Sequence, residues 1–195
     1  MTECWAKKMT DSLFFNGFIK EWDKEIYNYY IQVLLEKIIG LSVIFLISFC
    51  MKRVGQTILF LFYFSCIRKH AGGFHANKFI KCLVGTVGIY VIYSYFIILF
   101  LTKHMEINIA LIIVSITIIE IVGAVNHPNM DWNRKEYEES RKITRMIAII
   151  EGVSILISFF LKFENSYILY MSFGLILSAI LLTLGKLIGQ EVEAV

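Results

Sequence analysis

The sequence predicts an all-α polytopic integral membrane protein with about six membrane helices and an interfacial N-terminal helix. Three observations carry this. Of the 195 residues, 57% are apolar and mean hydropathy is +0.67, against about 45–50% apolar for a soluble domain. The excess falls in blocks close to the roughly 20 residues that cross a bilayer as helix. No run of short alternating segments separated by turns appears, so helices rather than a β-barrel must satisfy the backbone in lipid.

The elements follow in order. Residues 1–29 mix Trp5, Phe14, Phe15, Phe18, Trp22 and Tyr27 with Lys7, Lys8, Lys20 and Lys24. That mixture reads as a helix lying in the interface, or as a soluble amphipathic lead-in. It lacks the short apolar core and small-residue cleavage site of a signal peptide. The first span is Tyr30 to Cys50, interrupted early by Glu36 and Lys37 and ended by Lys52 and Arg53. The second block, Val54 to Ile67, covers only about 21 Å as helix, so it reads as a short, tilted or re-entrant piece. A polar island follows at 68–82. Leu83 to Leu101 and Ile107 to Val125 are the third and fourth spans. A charged cytoplasmic loop is predicted over 126–142, and Ile143 to Leu161 and Tyr167 to Ile188 complete the set. No repeat or low-complexity tract divides the chain, so 1–195 is read as one membrane-embedded domain.

The net charge of +3 is small, and the basic residues sit at the ends of apolar blocks. That suits a membrane surface and argues against a nucleic-acid partner. With six spans and an inside N-terminus, fourteen Lys and Arg lie on inner segments: four in Lys7–Lys24, four in Arg68–Lys81, five in Arg134–Arg145, and Lys186. Lys52, Arg53, Lys103 and Lys162 lie outside, and Lys37 falls within a span. The positive-inside rule therefore turns the island toward the cytoplasm. Cys4, Cys50, Cys66 and Cys82 show no C-x-x-C spacing, so neither a zinc site nor a redox pair is read.

The island, R-K-H-A-G-G-F-H-A-N-K-F-I-K-C from Arg68 to Cys82, holds the chemistry. His75 stands seven residues before Cys82. A cysteine attacks carbonyls as its thiolate, and an imidazole can take its proton. Arg68, Lys69, Lys78 and Lys81 surround the pair with positive charge, which favours an anion. On one straight helix the two would be separated by about 10.5 Å of rise, too far to meet. The Gly72-Gly73 pair permits the break that lets them approach; pairing across a dimer is the other route. The bland reading is that Cys82 is inert packing and His75 an interfacial residue.

R-x-x-x-G-G-x-H-A with a cysteine seven positions after the histidine resembles the accessory gene regulator B (AgrB) family, bacterial membrane peptidases that process quorum-sensing propeptides. Length, hydropathy, the amphipathic N-terminus and His127-Pro128-Asn129 after the fourth span extend the likeness over nearly the whole chain. The resemblance implies a catalytic Cys82 and a catalytic His75, with Arg68, Gly72 and Gly73 supporting them. It also implies an AgrD-like propeptide as substrate, a thioester on Cys82, closure of the peptide to a thiolactone or lactone, and a homodimer. One departure stands out. Many relatives read Ala-Pro-Val-Asp-His-Pro-Asn-Lys-Pro where this chain has A-V-N-H-P-N-M-D at 124–131, placing Asn126 where an acid is common.

Other candidates complete the site. Glu120 and Glu151 fall inside predicted spans, where charged groups tend to face protein or water. Either could orient His75 as a third member, and Glu120 could instead reach the interface. Lys69, Lys78, Lys81, His127 and Asn129 are the candidates to bind the peptide, although His127 beside a proline also has a structural reading. His70 is a rival base, and His104 is on the outer side. No metal and no organic cofactor is implied. The alternatives to a cysteine endopeptidase are a non-catalytic transporter and a scaffold that holds a peptide without cutting it.

Overall fold

The computed structural model describes residues 2–74, 79–126 and 132–191. It is all α-helical: α1 Thr2–Phe15, α2 Lys24–Cys50, α3 Val54–Ala71, α4 Phe79–Ile92, α5 Ile98–Lys103, α6 Met105–Val122, α7 Arg134–Phe160 and α8 Asn165–Leu187. A π-helical segment, Tyr93–Ile97, joins α4 to α5 in one continuous rod. The Ser94 carbonyl there accepts a hydrogen bond from Arg53 Nη1 at 2.7 Å.

Among the described residues, five helical stretches are long and apolar enough to cross a membrane: Glu21–Cys50, Phe79–Lys103, Met105–Val122, Arg134–Phe160 and Asn165–Leu187. That is one fewer than expected. The sixth, α3, is diluted by Arg68, Lys69 and His70 in its last turn. It is nonetheless a single uninterrupted helix, not a re-entrant hairpin, and it runs parallel to α8 along its length. Gln56 Nε2 donates to Ser166 Oγ at the start, and the Phe74 N–H donates to the Leu181 carbonyl at the far end. So α3 traverses the same depth as much of α8.

Helix α8 is the axis of the bundle. Ile168 through Leu175 are buried without interruption, so every face is covered, the mark of an apolar helix enclosed by others. It packs on α3, α5, α6 and α7. The surrounding helices bury one stripe each: Asn108, Ile112, Ser115 and Ile119 on α6, and Thr144, Ala148, Glu151, Gly152 and Ile155 on α7. Their outward faces carry large apolar side chains such as Leu46, Phe96, Ile121 and Phe160, which lipid accommodates and water would not.

The α3–α8 contact depends on Gly174. A Cβ there would stand 2.8 Å from the Phe64 nitrogen and 2.9 Å from the Phe60 carbonyl oxygen. Both are backbone atoms and cannot rotate away. Gly174→Ala is therefore expected to destabilise the fold by about 1–3 kcal/mol, the usual cost of overpacking, read as a lowered melting temperature in detergent.

Several boundaries move from their sequence-based positions. The N-terminal stretch is divided: α1 packs antiparallel on the first half of α2, with Thr2 Oγ1 donating to Glu36 Oε1 at 3.1 Å and Lys24 pairing with Asp11 at 2.8 Å. Helix α2 begins at Lys24, six residues before the predicted span. The charge run 134–142 is helix, not loop. Asn133 and Glu136 form a reciprocal capping box that starts α7 at Arg134, satisfying N–H groups that a loop would leave to water. The island 68–82 is likewise partly helical, with its first four residues ending α3 and its last four opening α4.

Candidate active site

The island begins where α3 stops. Gly72 and Gly73 have φ of 65° and 101°, the left-handed region that side chains with a Cβ avoid. Two such residues in succession end the helix and turn the chain. Arg68, one turn before the stop, closes over this turn. Its Nη1 donates to the Gly72 carbonyl and its Nη2 to the Phe74 carbonyl at 3.1 Å, and its guanidinium lies over the Phe64 ring at 6.0 Å. The planar fork of arginine suits such two-point bonding and lysine does not.

Two other parts of the fold grip the same turn. The Phe74 N–H donates to the Leu181 carbonyl of α8 at 2.9 Å, and the Val125 N–H donates to the Ala71 carbonyl at 2.8 Å. The second contact forms a short parallel bridge between Gly72 and Val125. The polar segment after α6 therefore leaves from the same place as the island, although more than fifty residues separate them in sequence. Asn126 then clamps the far end of that segment: its Nδ2 donates to the Trp132 carbonyl at 3.2 Å, and its Oδ1 accepts from the Trp132 N–H at 3.0 Å. An aspartate would keep the second bond and lose the first. Asn126→Asp is thus expected to cost less stability than Asn126→Ala, which loses both bonds at about 1–2 kcal/mol, measured by thermal unfolding in detergent.

Cys82 is exposed and stands in the first described turn of α4, at the edge of the bundle. Arg68 and Cys82 stand near one another at this end. Arg68, Gly72, Gly73 and Cys82 are therefore gathered at one end of the bundle. Lys69 and Lys81 are exposed there. His75, Lys78, His127 and Asn129 lie outside the described residues.

The two carboxylates sit deeper, between helices. Glu120 Oε2 faces Arg145 Nε of α7 at 3.9 Å. Glu151 is buried in the stripe of α7, close to Tyr63 and Cys66 of α3, and its two oxygens accept no hydrogen bond among the described residues. His70 stands in the last turn of α3. His104 lies between α5 and α6 and contacts Glu106 at 3.2 Å. Among the described residues, no group of three or more His, Cys, Asp and Glu comes together to hold a metal ion.

A profile of the family described as accessory gene regulator B matches residues 4–182. The chain belongs to the accessory gene regulator B family. The match includes the whole island and the segment from Ala124 to Trp132, the two stretches that the Gly72–Val125 bridge joins. Comparison with curated proteins and with solved structures returned no match. The sequence singled out Arg68 and the glycines and gave no sign of the Leu181 carbonyl, Val125 or the Asn126 clamp. Their contributions are backbone groups or bonds formed across long sequence distances, and no residue-type signal marks them.

Proposed function

We propose that this AgrB-family protein is a membrane cysteine endopeptidase of a quorum-sensing system, cutting a short AgrD-like propeptide at the cytoplasmic face. The observation that carries the reading is the Arg68 guanidinium, whose fork ties the Gly72–Phe74 turn together at the end of the bundle where Cys82 is exposed. The exposure of Cys82 on the outer helix leaves room for a peptide, and the fourteen inner basic residues orient this end toward the cytoplasm.

In the proposed mechanism the His75 imidazole takes the Cys82 proton, and the thiolate adds to the scissile carbonyl. A C–S bond forms, the C–N bond breaks, and the imidazolium protonates the departing amine. The N-terminal part of the peptide remains as a thioester on Cys82. The now neutral His75 takes the proton of a thiol or hydroxyl within that peptide, which attacks the thioester carbonyl, closes a thiolactone or lactone and expels the Cys82 thiolate, and His75 passes that same proton to the sulfur. With a thiol as attacker, one thioester replaces another, so the driving force is small and ring strain opposes it. Removal of the released tail pulls the step forward. Glu151, whose oxygens carry no hydrogen bond among the described residues, and Glu120, which faces Arg145 at 3.9 Å, are the carboxylates offered to orient His75. Lys69, Lys78, Lys81, His127 and Asn129 would contact the peptide. A homodimer and a thiolactone or lactone product belong to the same proposal.

The test is co-expression with the short reading frame beside the gene, followed by mass spectrometry of the peptide. The wild-type chain should yield a shortened product. A transporter would move the peptide without cutting it, and a scaffold would retain it at full length. Either result would overturn the endopeptidase reading.

A further inference from the structure

We propose that Gly185 of α8, outside the matched region and remote in sequence from the island, is a positioning residue that seats the Gly73–Phe74 backbone and so sets where the following residue, His75, enters the site. The inference rests on the endopeptidase reading above. A Cβ on Gly185 would stand 2.6 Å from the Phe74 nitrogen, 2.8 Å from the Gly73 carbonyl carbon and 3.0 Å from its Cα. All three are main-chain atoms, and real side chains do not approach so closely. The contact is reciprocal: a Cβ on Gly73 would meet the Leu181 carbonyl oxygen at 3.1 Å and the Leu182 Cα at 3.2 Å.

The Phe74 N–H···O=C bond to Leu181, at 2.9 Å, fixes the register of this contact. Leu181 and Gly185 are one helical turn apart, so the carbonyl that receives the amide and the gap that admits it share one face of α8. The turn is thus held from two sides, by Arg68 of α3 above Gly72 and Phe74, and by α8 beneath Gly73 and Phe74. A methyl group at residue 185 would lift the turn off α8. It would stretch the bond to Leu181 and shift the Gly73–Phe74 backbone that leads into the rest of the island, and misplacements of about 1 Å remote from the chemistry cost about 10²-fold in rate.

The experiment uses the full chain in membranes with the co-expressed propeptide, and compares Gly185→Ala with three controls. Gly174→Ala inserts a methyl into the α3–α8 contact away from the turn. Gly88→Ala, on the helix that carries Cys82, inserts one into open space. Cys82→Ala reports on the functional reading itself. Gly185→Ala should lower kcat by about 10²-fold with KM within about threefold, while Gly174→Ala loses thermal stability but keeps its kcat per folded molecule. Amide hydrogen exchange at Phe74 should be slow in the wild-type chain and fast in Gly185→Ala. If Cys82→Ala is inactive but Gly185→Ala keeps wild-type kcat and a slow Phe74 amide, the positioning role is wrong and the endopeptidase reading stands. If Cys82→Ala still cuts, the functional reading fails and the positioning role falls with it. If Gly185→Ala does not accumulate, exchange in the wild-type chain decides: a slow Phe74 amide upholds the seat on α8, and a fast one overturns it.

Discussion

Cys82→Ala is expected to abolish propeptide cleavage while leaving membrane insertion and stability unchanged. The two halves of that expectation have separate physical grounds. Cys82 is exposed, and among the helices α4 packs on α2. Removing its sulfur opens no cavity, and exposed substitutions away from special features usually fall within about 0.5 kcal/mol. Chemistry, by contrast, would lose the sulfur that the proposed mechanism acylates. A drop of at least about 10³-fold is expected when a nucleophile is deleted. Cys82→Ser should fall nearly as far, because a hydroxyl is a much weaker acid than a thiol and His75 would have to remove a far more tightly held proton. His75→Ala should match Cys82→Ala, and the double variant should lose little more, since the two act as a unit. Acid-quenched wild-type protein should carry the mass of the N-terminal peptide fragment, and Cys82→Ala should not. Cleavage by Cys82→Ala at the wild-type rate would remove the residue from the mechanism.

Arg68→Ala is expected to damage both stability and activity. Its two hydrogen bonds hold the carbonyls of Gly72 and Phe74, and carbonyls left without a donor in a partly buried turn cost on the order of 1–3 kcal/mol. The same substitution removes a positive charge from the end of the bundle that carries Cys82. Arg68→Lys separates the two roles. Lysine restores a charge but, as a single compact ammonium, cannot fork between two carbonyls. Stability should recover in part, and kcat should remain down by about tenfold or more, as the turn leading to His75 loses its second tether. Thermal unfolding and cleavage kinetics on the same preparations check both. If Arg68→Lys is fully active and fully stable, the fork has no part in the site.

The architecture was legible because lipid simplifies the reading. Apolar blocks of the right length must be helices, and the long runs ending at Cys50, Leu101, Leu161 and Ile188 all correspond to helical stretches. Errors fell at the polar ends, where hydropathy carries no signal. The run Arg134–Lys142 reads as a loop by charge, yet the Asn133–Glu136 capping box makes it helix. The block 54–67 looked too short to cross, yet α3 gains length from Arg68 to Ala71. That extension places the guanidinium over the turn.

Taken alone, the amino-acid order determined the helical class, the membrane setting, the break at Gly72-Gly73 and the residue types that could react. These follow from local composition and from backbone conformations that only glycine adopts freely. Tertiary structure decided what those residues meet. It made α8 the axis, laid α3 parallel to it, joined Ala71 to Val125, and set the Phe74 amide on the Leu181 carbonyl. These contacts link positions far apart in the chain, several of them through backbone atoms that are the same in every residue, so only the folded arrangement can reveal them.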